Sequence, residues 1–150
     1  MKWLQIILLV ILGTALFSCK EDSGVLEITV SYQTDNEDWR RDVGAKVFLF
    51  DHSKTQGINI DSMTVGDARS GKLLAKDGGY LNLFPVYEEQ APNHGKIELE
   101  VDAGYYLLIL ASNGRKSFSH KHQHIKRSEF ISLEKEFTGI WDNKKGGETW

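Results

Sequence analysis

The chain has 150 residues, of which 41% are hydrophobic and 26% charged, with fourteen glycines and two prolines. This composition is typical of one globular domain rather than of a disordered or fibrous chain. A formal net charge of −3 argues against nucleic acid as a partner, because phosphate binding needs a clustered positive surface.

The first eighteen residues predict an export signal. An uncharged, mainly apolar segment follows Lys2, and at residues 3–17 it is shorter than the roughly 20 apolar residues of a spanning helix. It ends in the sequence Leu16-Phe17-Ser18-Cys19, which resembles the lipobox of bacterial lipoproteins. This resemblance implies cleavage after Ser18 and a lipid anchor of several acyl chains on Cys19, which is the only cysteine and excludes an intramolecular disulfide. The alternative is an ordinary secretory signal with an incidental cysteine.

Residues 19–24 are predicted to form a lipidated tether. The sequence Lys-Glu-Asp-Ser at 20–23 resembles the short surface-export tag of some Gram-negative lipoproteins. We therefore expect a lipoprotein of the cell envelope, attached to the outer membrane, and the tag implies that it faces outward. A plain solvated tether would also be polar here.

After the tether, apolar residues recur mostly at period two, as in half-buried strands. Segments 35–44 and 88–95 are predicted as loops, and 66–78 as a loop or one turn of helix. The tail, 138–150, is polar and contains glycine. Predicted strands cover 25–34, 45–51, 58–65, 80–84, 96–101, 105–112, 117–125 and 130–137. The sequence therefore predicts an all-β fold over 25–137, a two-layer antiparallel β-sandwich of about seven strands.

Three segments resemble the transthyretin-like, or carboxypeptidase-regulatory-like, family of β-sandwiches, whose architecture is Ig-like. They are Gly-Ala and an apolar strand at 44–51, an Asn-x-Gly hairpin at 93–99, and a Gly-x-Tyr strand at 102–109. Residues 77–80 are a rival match for the hairpin. The resemblance implies an accessory, adhesive or scaffolding module and transfers no active site.

Three alternating histidines form the main candidate site. On a strand over 117–125, His120, His122 and His124 would project from the same face as Phe118. Neighbouring histidines at i and i+2 can chelate Zn²⁺ or Cu²⁺, but the outer two stand about 13 Å apart. A closed site would need another ligand, for which His52, His94 and acidic residues are the candidates. The alternative is an exposed, partly cationic strand.

Tryptophans in predicted loops form a second candidate site. Trp39 and Trp141 could stack on sugars or contact a protein partner. Alternatively, both cover the ends of the core, while Trp150 is simply the end of the chain.

Catalysis finds little support, because the sequence carries no phosphate-binding loop, nucleophile elbow or zinc-protease motif. We therefore expect a non-enzymatic envelope lipoprotein that acts through contacts with another envelope protein. The alternatives are a metal- or ligand-binding module centred on the three histidines, or a glycan-binding one. No cofactor is expected beyond the covalent lipid, unless the histidines bind Zn²⁺ or Cu²⁺.

Overall fold

The computed structural model describes residues 22–139 and 144–150. The predicted signal, Cys19 and Trp141 lie outside these residues. The described part contains eight strands: β1 (Ser23–Gln33), β2 (Trp39–Arg41), β3 (Lys46–Asp51), β4 (Tyr87–Gln90), β5 (Lys96–Asp102), β6 (Gly104–Ala111), β7 (Phe118–Ile125) and β8 (Phe130–Phe137). Two 3₁₀ helices (His52–Lys54 and Ile60–Ser62) and one short helix, α1 (Val65–Arg69), lie between β3 and β4.

The strands form two sheets packed as a sandwich, as predicted. In sheet A, β1 lies between β8 and β5, and β2 pairs with the last three residues of β1. In sheet B the order is β4, β3, β6, β7. One pairing departs from the antiparallel prediction, because β8 runs parallel to β1.

The main core lies between the sheets. On β1, Leu26, Ile28 and Val30 are fully buried, whereas the residues between them are only partly buried. Burying such a side chain stabilises the fold by about 1.5–3 kcal/mol. The period-two pattern of the sequence therefore reflects one buried and one open face of sheet A.

A second, smaller core covers the outer face of sheet B. Phe48 and Phe50 of β3 and Leu107 and Ile109 of β6 contribute to it from the sheet. The segment between β3 and β4 covers them with Met63, Val65, Ala68 and Leu73. Because β3 and β6 are covered on both faces, they are unbroken apolar runs, as the sequence predicted for 45–51.

The prediction of a strand at 58–65 is wrong. The apolar residues of this segment do contact sheet B, but they do so from a 3₁₀ helix and the start of α1. Thr64 begins the helix with a reciprocal capping box, in which its side chain and the Asp67 carboxylate bond to each other's backbone N–H. This local hydrogen bonding outweighs the weak alternation of the sequence.

The strand predicted at 80–84 is also wrong. Only Tyr80 makes a β-bridge, to Leu74, and the real strand, β4, begins after Pro85, within a predicted loop. β4 lacks an apolar pattern because three of its four side chains are exposed. The predicted hairpin at 93–99 is instead a crossing from β4 in sheet B to β5 in sheet A.

The described part of the tail, residues 144–150, packs against the sandwich. Glu148 donates its backbone N–H to the Phe118 carbonyl at 2.7 Å, beside β7. Gly147 has a φ of +69°, and an added Cβ there would lie 2.6 Å from the same carbonyl oxygen. Trp150 contacts the main core and its ring lies 5.3 Å from Nζ of Lys121, so it is part of the fold rather than a loose chain end.

Among residues 22–139 and 144–150, no helix has the length and apolar character needed to cross a membrane.

Candidate functional site

The three alternating histidines lie on β7, as the sequence predicted, and share a face with buried Phe118. Their partners across the sheet on β6 are Ile109 for His120, Leu107 for His122 and Tyr105 for His124. His120 is half-buried, whereas His122 and His124 are exposed. The covering segment therefore leaves the outer face of sheet B progressively more open along β7.

His120 differs from His122 and His124 in its burial and hydrogen bonding. Its Nδ1 is buried and has no hydrogen-bond partner in the part of the chain that the structure describes. Burial lowers the pKa of His120, and the nearby Asp61 carboxylate offsets this only in part. The lowered pKa favours a neutral imidazole at pH 7, and His120 lies beside the second core, opposite Ile109.

His52 joins the other two histidines from a different element, the 3₁₀ helix that follows β3. Its ring centroid lies 4.7 Å from that of His122, with the two rings perpendicular, and 4.4 Å from that of Tyr105. Tyr105 also contacts His124 at 6.2 Å between centroids. We call His52, Tyr105, His122 and His124 the histidine–tyrosine cluster.

Within the cluster, the surroundings of His122 favour its neutral imidazole form. Burial lowers the pKa of His122, and the proximity of His52 lowers it further. Nδ1 of His52 is buried without a hydrogen-bond partner among the described residues. Within residues 22–139 and 144–150, no group of three His, Cys, Asp or Glu residues is placed to hold a metal ion.

The structure thus brings His52 into contact with His122, while Tyr105 lies between His52 and His124. Tyr105 was missed in the sequence, where it begins an apolar run and looks like a core residue. Its 47% exposure shows that the run begins outside the core.

Trp39, the other candidate, lies on β2 and is 48% exposed. It pairs with Gln33, the last residue of β1, and it is not among the described residues that pack against either core. Arg41 lies two residues further along β2, on the same outer face of sheet A as Trp39. Trp141, the second tryptophan of this prediction, lies outside the described residues.

An open groove of about 470 Å³ lies beside Arg41, lined by Thr29, Arg41, His94 and Lys96. Nζ of Lys96 forms an ion pair with the Glu27 carboxylate at 2.5 Å. We call Trp39, Arg41, His94 and Lys96 the distal surface. His94 therefore belongs to this surface rather than to the histidine–tyrosine cluster.

Asp42 fixes the distal surface to sheet B. Its buried carboxylate accepts hydrogen bonds from Ser112 Oγ at 2.5 Å and from the backbone N–H groups of Asn113 and Gly114. Arg69 of α1 donates to the Ser112 carbonyl at 2.7 Å. Burial raises the pKa of Asp42 despite these hydrogen bonds. The residue directly after β2 is thus held to the β6–β7 turn, a role the sequence did not indicate.

The two candidate sites lie at opposite ends of the sandwich. Gly24, at the start of β1, lies against Ile125 and the Lys126 carbonyl, next to His124. Trp39 pairs with the other end of β1, ten residues from Ser23, which corresponds to about 33 Å of strand.

No family model matches this chain, and no curated protein matches it either. Its fold is similar to that of a Pseudomonas aeruginosa protein provisionally assigned as a carbohydrate-binding protein, with 12% identity and a TM-score of 0.46 over 82% of this chain and 95% of that one. The minor pilin of the Gram-positive pathogen Streptococcus agalactiae gives the same identity and TM-score over 79% of this chain and 45% of the pilin. These likenesses concern the fold alone. The chain is a β-sandwich module, and its membership of the transthyretin-like family stays a prediction.

Proposed function

We propose that this protein is a non-enzymatic, lipid-anchored module of the cell envelope that binds another envelope protein through its distal surface. The observation that carries the proposal is Trp39, which is half exposed about 33 Å along β1 from Ser23, at the end of the sandwich remote from the tether.

The lipobox supports the anchored orientation. Cys19 precedes Ser23 by four residues, which span at most about 14 Å when extended. A lipid on Cys19 would hold the histidine–tyrosine cluster near the bilayer and direct the distal surface away from it. The polar tag at 20–23 supports attachment to the outer membrane with the domain facing outward.

The chemistry of the distal surface suits a protein interface. Tryptophan and arginine are enriched among residues that dominate binding energy, and Trp39 and Arg41 occupy one face of β2. The buried Asp42 that follows them is held by three hydrogen-bond donors of the β6–β7 turn. A surface fixed in this way loses little conformational entropy on binding.

The anchor is tested by metabolic labelling with a fatty-acid probe, comparing the wild type with Cys19→Ala. We expect labelling of the wild type only. Labelling that persists in the variant would overturn the anchor.

The interface is tested by cross-linking in intact cells and purification of the cross-linked partner. Trp39→Ala should abolish the cross-link to a defined protein. Phe130→Ala is the matched control, because Phe130 is a 61% exposed aromatic residue on the outer face of sheet A, opposite Val25 at the other end. Equal loss in both variants, or in neither, would contradict a role for the distal surface.

Glycan binding at the same surface is a second candidate function. The groove beside Arg41 supplies polar groups next to an exposed indole, which is the combination that sugar stacking uses. In that case oligosaccharides would quench tryptophan fluorescence in the wild type but not in Trp39→Phe. No response across a broad glycan panel would exclude this candidate.

A further inference from the structure

Two imidazoles of the histidine–tyrosine cluster, those of His52 and His122, are in contact although they come from elements that are not neighbours in sheet B. His52 follows β3 and His122 lies on β7, so strand β6 separates the two elements that carry them. Their rings nevertheless lie 4.7 Å apart between centroids and perpendicular to each other.

This separation lies within the range of an edge-to-face aromatic contact, and it also matches the separation of two imidazoles that bind the same metal ion. A metal lies about 3.2 Å from the centroid of a bound imidazole, since the metal–nitrogen bond is about 2.0–2.1 Å. Two imidazoles at neighbouring positions of a square plane then have centroids about 4.5 Å apart, and at tetrahedral positions about 5.2 Å apart. The observed 4.7 Å lies between these values and nearer to the square-planar one.

The surroundings of the pair admit an ion. His122 is exposed, and Tyr105, which contacts both histidines, is 47% exposed, so water reaches the cluster. Nδ1 of His52 is buried and has no hydrogen-bond partner in the described part of the chain, so metal binding by this ring would break no hydrogen bond at that nitrogen.

We propose that His52 and His122 form a two-imidazole site for a divalent transition-metal ion that accepts tetragonal geometry, Cu²⁺ in preference to Ni²⁺, with water in the remaining positions. A structural zinc site needs about four protein ligands, and the described residues hold no such group. Tetragonal nitrogen and oxygen ligation is typical of Cu²⁺ and Ni²⁺, and Cu²⁺ binds most tightly of the first-row divalent ions. The site differs from a chelate of His122 and His124 on β7 alone, because it requires His52.

Calorimetric titration of the full chain with Cu²⁺, purified without a polyhistidine tag, tests this site. We expect one ion per chain. The variants His52→Ala and His122→Ala should each weaken binding about tenfold or more, since even the loss of an outer-shell group costs 10–100-fold. His94, which lies on the distal surface, serves as the matched control: His94→Ala should retain the wild-type affinity. Unchanged binding in His52→Ala, or a loss in His124→Ala as large as in His122→Ala, would overturn the assignment.

Electron paramagnetic resonance of the Cu²⁺-loaded wild type gives a second readout that needs no variant to fold. Coupling to two imidazole nitrogens is expected. Coupling to one or none, or several ions bound with similar weak affinity, would show adventitious binding and refute the site.

Discussion

The ion pair between Lys135 and Glu148 holds the C-terminal tail against the sandwich, and its removal tests how much this contact stabilises the fold. Nζ of Lys135 on β8 lies 3.5 Å from the Glu148 carboxylate, and the two side chains are only 8% and 10% exposed. The same carboxylate accepts hydrogen bonds from Ser117 Oγ at 3.0 Å and Gly139 N–H at 2.8 Å. The Lys135 ammonium also donates to the Thr149 carbonyl at 2.8 Å. Glu148 therefore joins β8, the start of β7 and the tail.

Replacing Glu148 by alanine leaves the Lys135 ammonium buried without its carboxylate. Breaking a buried ion pair from one side costs about 3–5 kcal/mol. For a chain of this length, that corresponds to a fall in Tm of about 6–20 °C, at about 2–4 °C per kcal/mol. The free energy of unfolding is measured by urea denaturation, followed by far-ultraviolet circular dichroism.

Two controls identify the cause of this loss. Glu136→Ala removes an exposed carboxylate next to Lys135 on β8 and should change stability by less than about 0.5 kcal/mol. The double change Lys135→Met with Glu148→Gln should recover most of the stability, because no buried charge is left unpaired and the Gln amide oxygen can still accept from Ser117 and Gly139. A cost below about 1 kcal/mol for Glu148→Ala would refute the reasoning, since the tail would then not be held by this pair.

Two further predictions concern buried ionisable groups. Asp42→Ala removes the acceptor for Ser112 Oγ and for two backbone N–H groups, and should cost about 2–4 kcal/mol in urea unfolding; a cost under about 1 kcal/mol would contradict the role of Asp42. Because burial lowers the folded-state pKa of His120, the unfolded chain binds a proton first as the pH falls. Stability that is present above pH 6.5 is therefore lost below it, by at most about 1.4 kcal/mol per pH unit. His120→Leu should flatten this loss between pH 8 and pH 5.5, and an unchanged slope would show that His120 is not the group responsible.

Strands whose side chains alternate between core and solvent could be predicted from sequence. β1 and β5 bury every second residue. The alternation of apolar and polar residues in their sequence therefore shows that one face of each strand is buried and the other is not. β3 and β6 were found for the opposite reason, since a run buried on both faces carries no alternation. In both cases the signal comes from the burial of each strand's own side chains.

The segment between β3 and β4 could not be predicted in this way. Ile60 and Val65 are apolar because they cover sheet B, which says nothing about whether their backbone is extended or helical. β4 is held by backbone pairing to β3, and most of its side chains are exposed. Apart from Tyr87, which packs against the main core, this strand is stabilised by backbone hydrogen bonds, which leave almost no pattern in the sequence.

In the candidate site, too, the positions set by local strand geometry could be predicted, and those set by sheet order could not. Period two placed His122 and His124 on one face of β7 correctly, because strand geometry is local. The approach of His52 depends on the end of β3 meeting β6 and β7, which is a property of sheet order. From the sequence, His52 and His94 were equally good candidates for the additional ligand of the β7 histidines.

The alternation of histidines on β7 has a structural explanation that requires no ligand. The second core covers Phe118 completely, covers His120 in part and leaves His124 exposed. An imidazole suits a partly buried position better than an aliphatic or a charged side chain does. Its ring carbons can lie against the core while its nitrogens contact water. That explanation accounts for His120 and His124 by position alone. It does not account for the contact between His52, on a separate helix, and His122. The effect of substituting His52 on Cu²⁺ binding therefore decides between a metal site and a surface whose histidines only follow the change from core to solvent.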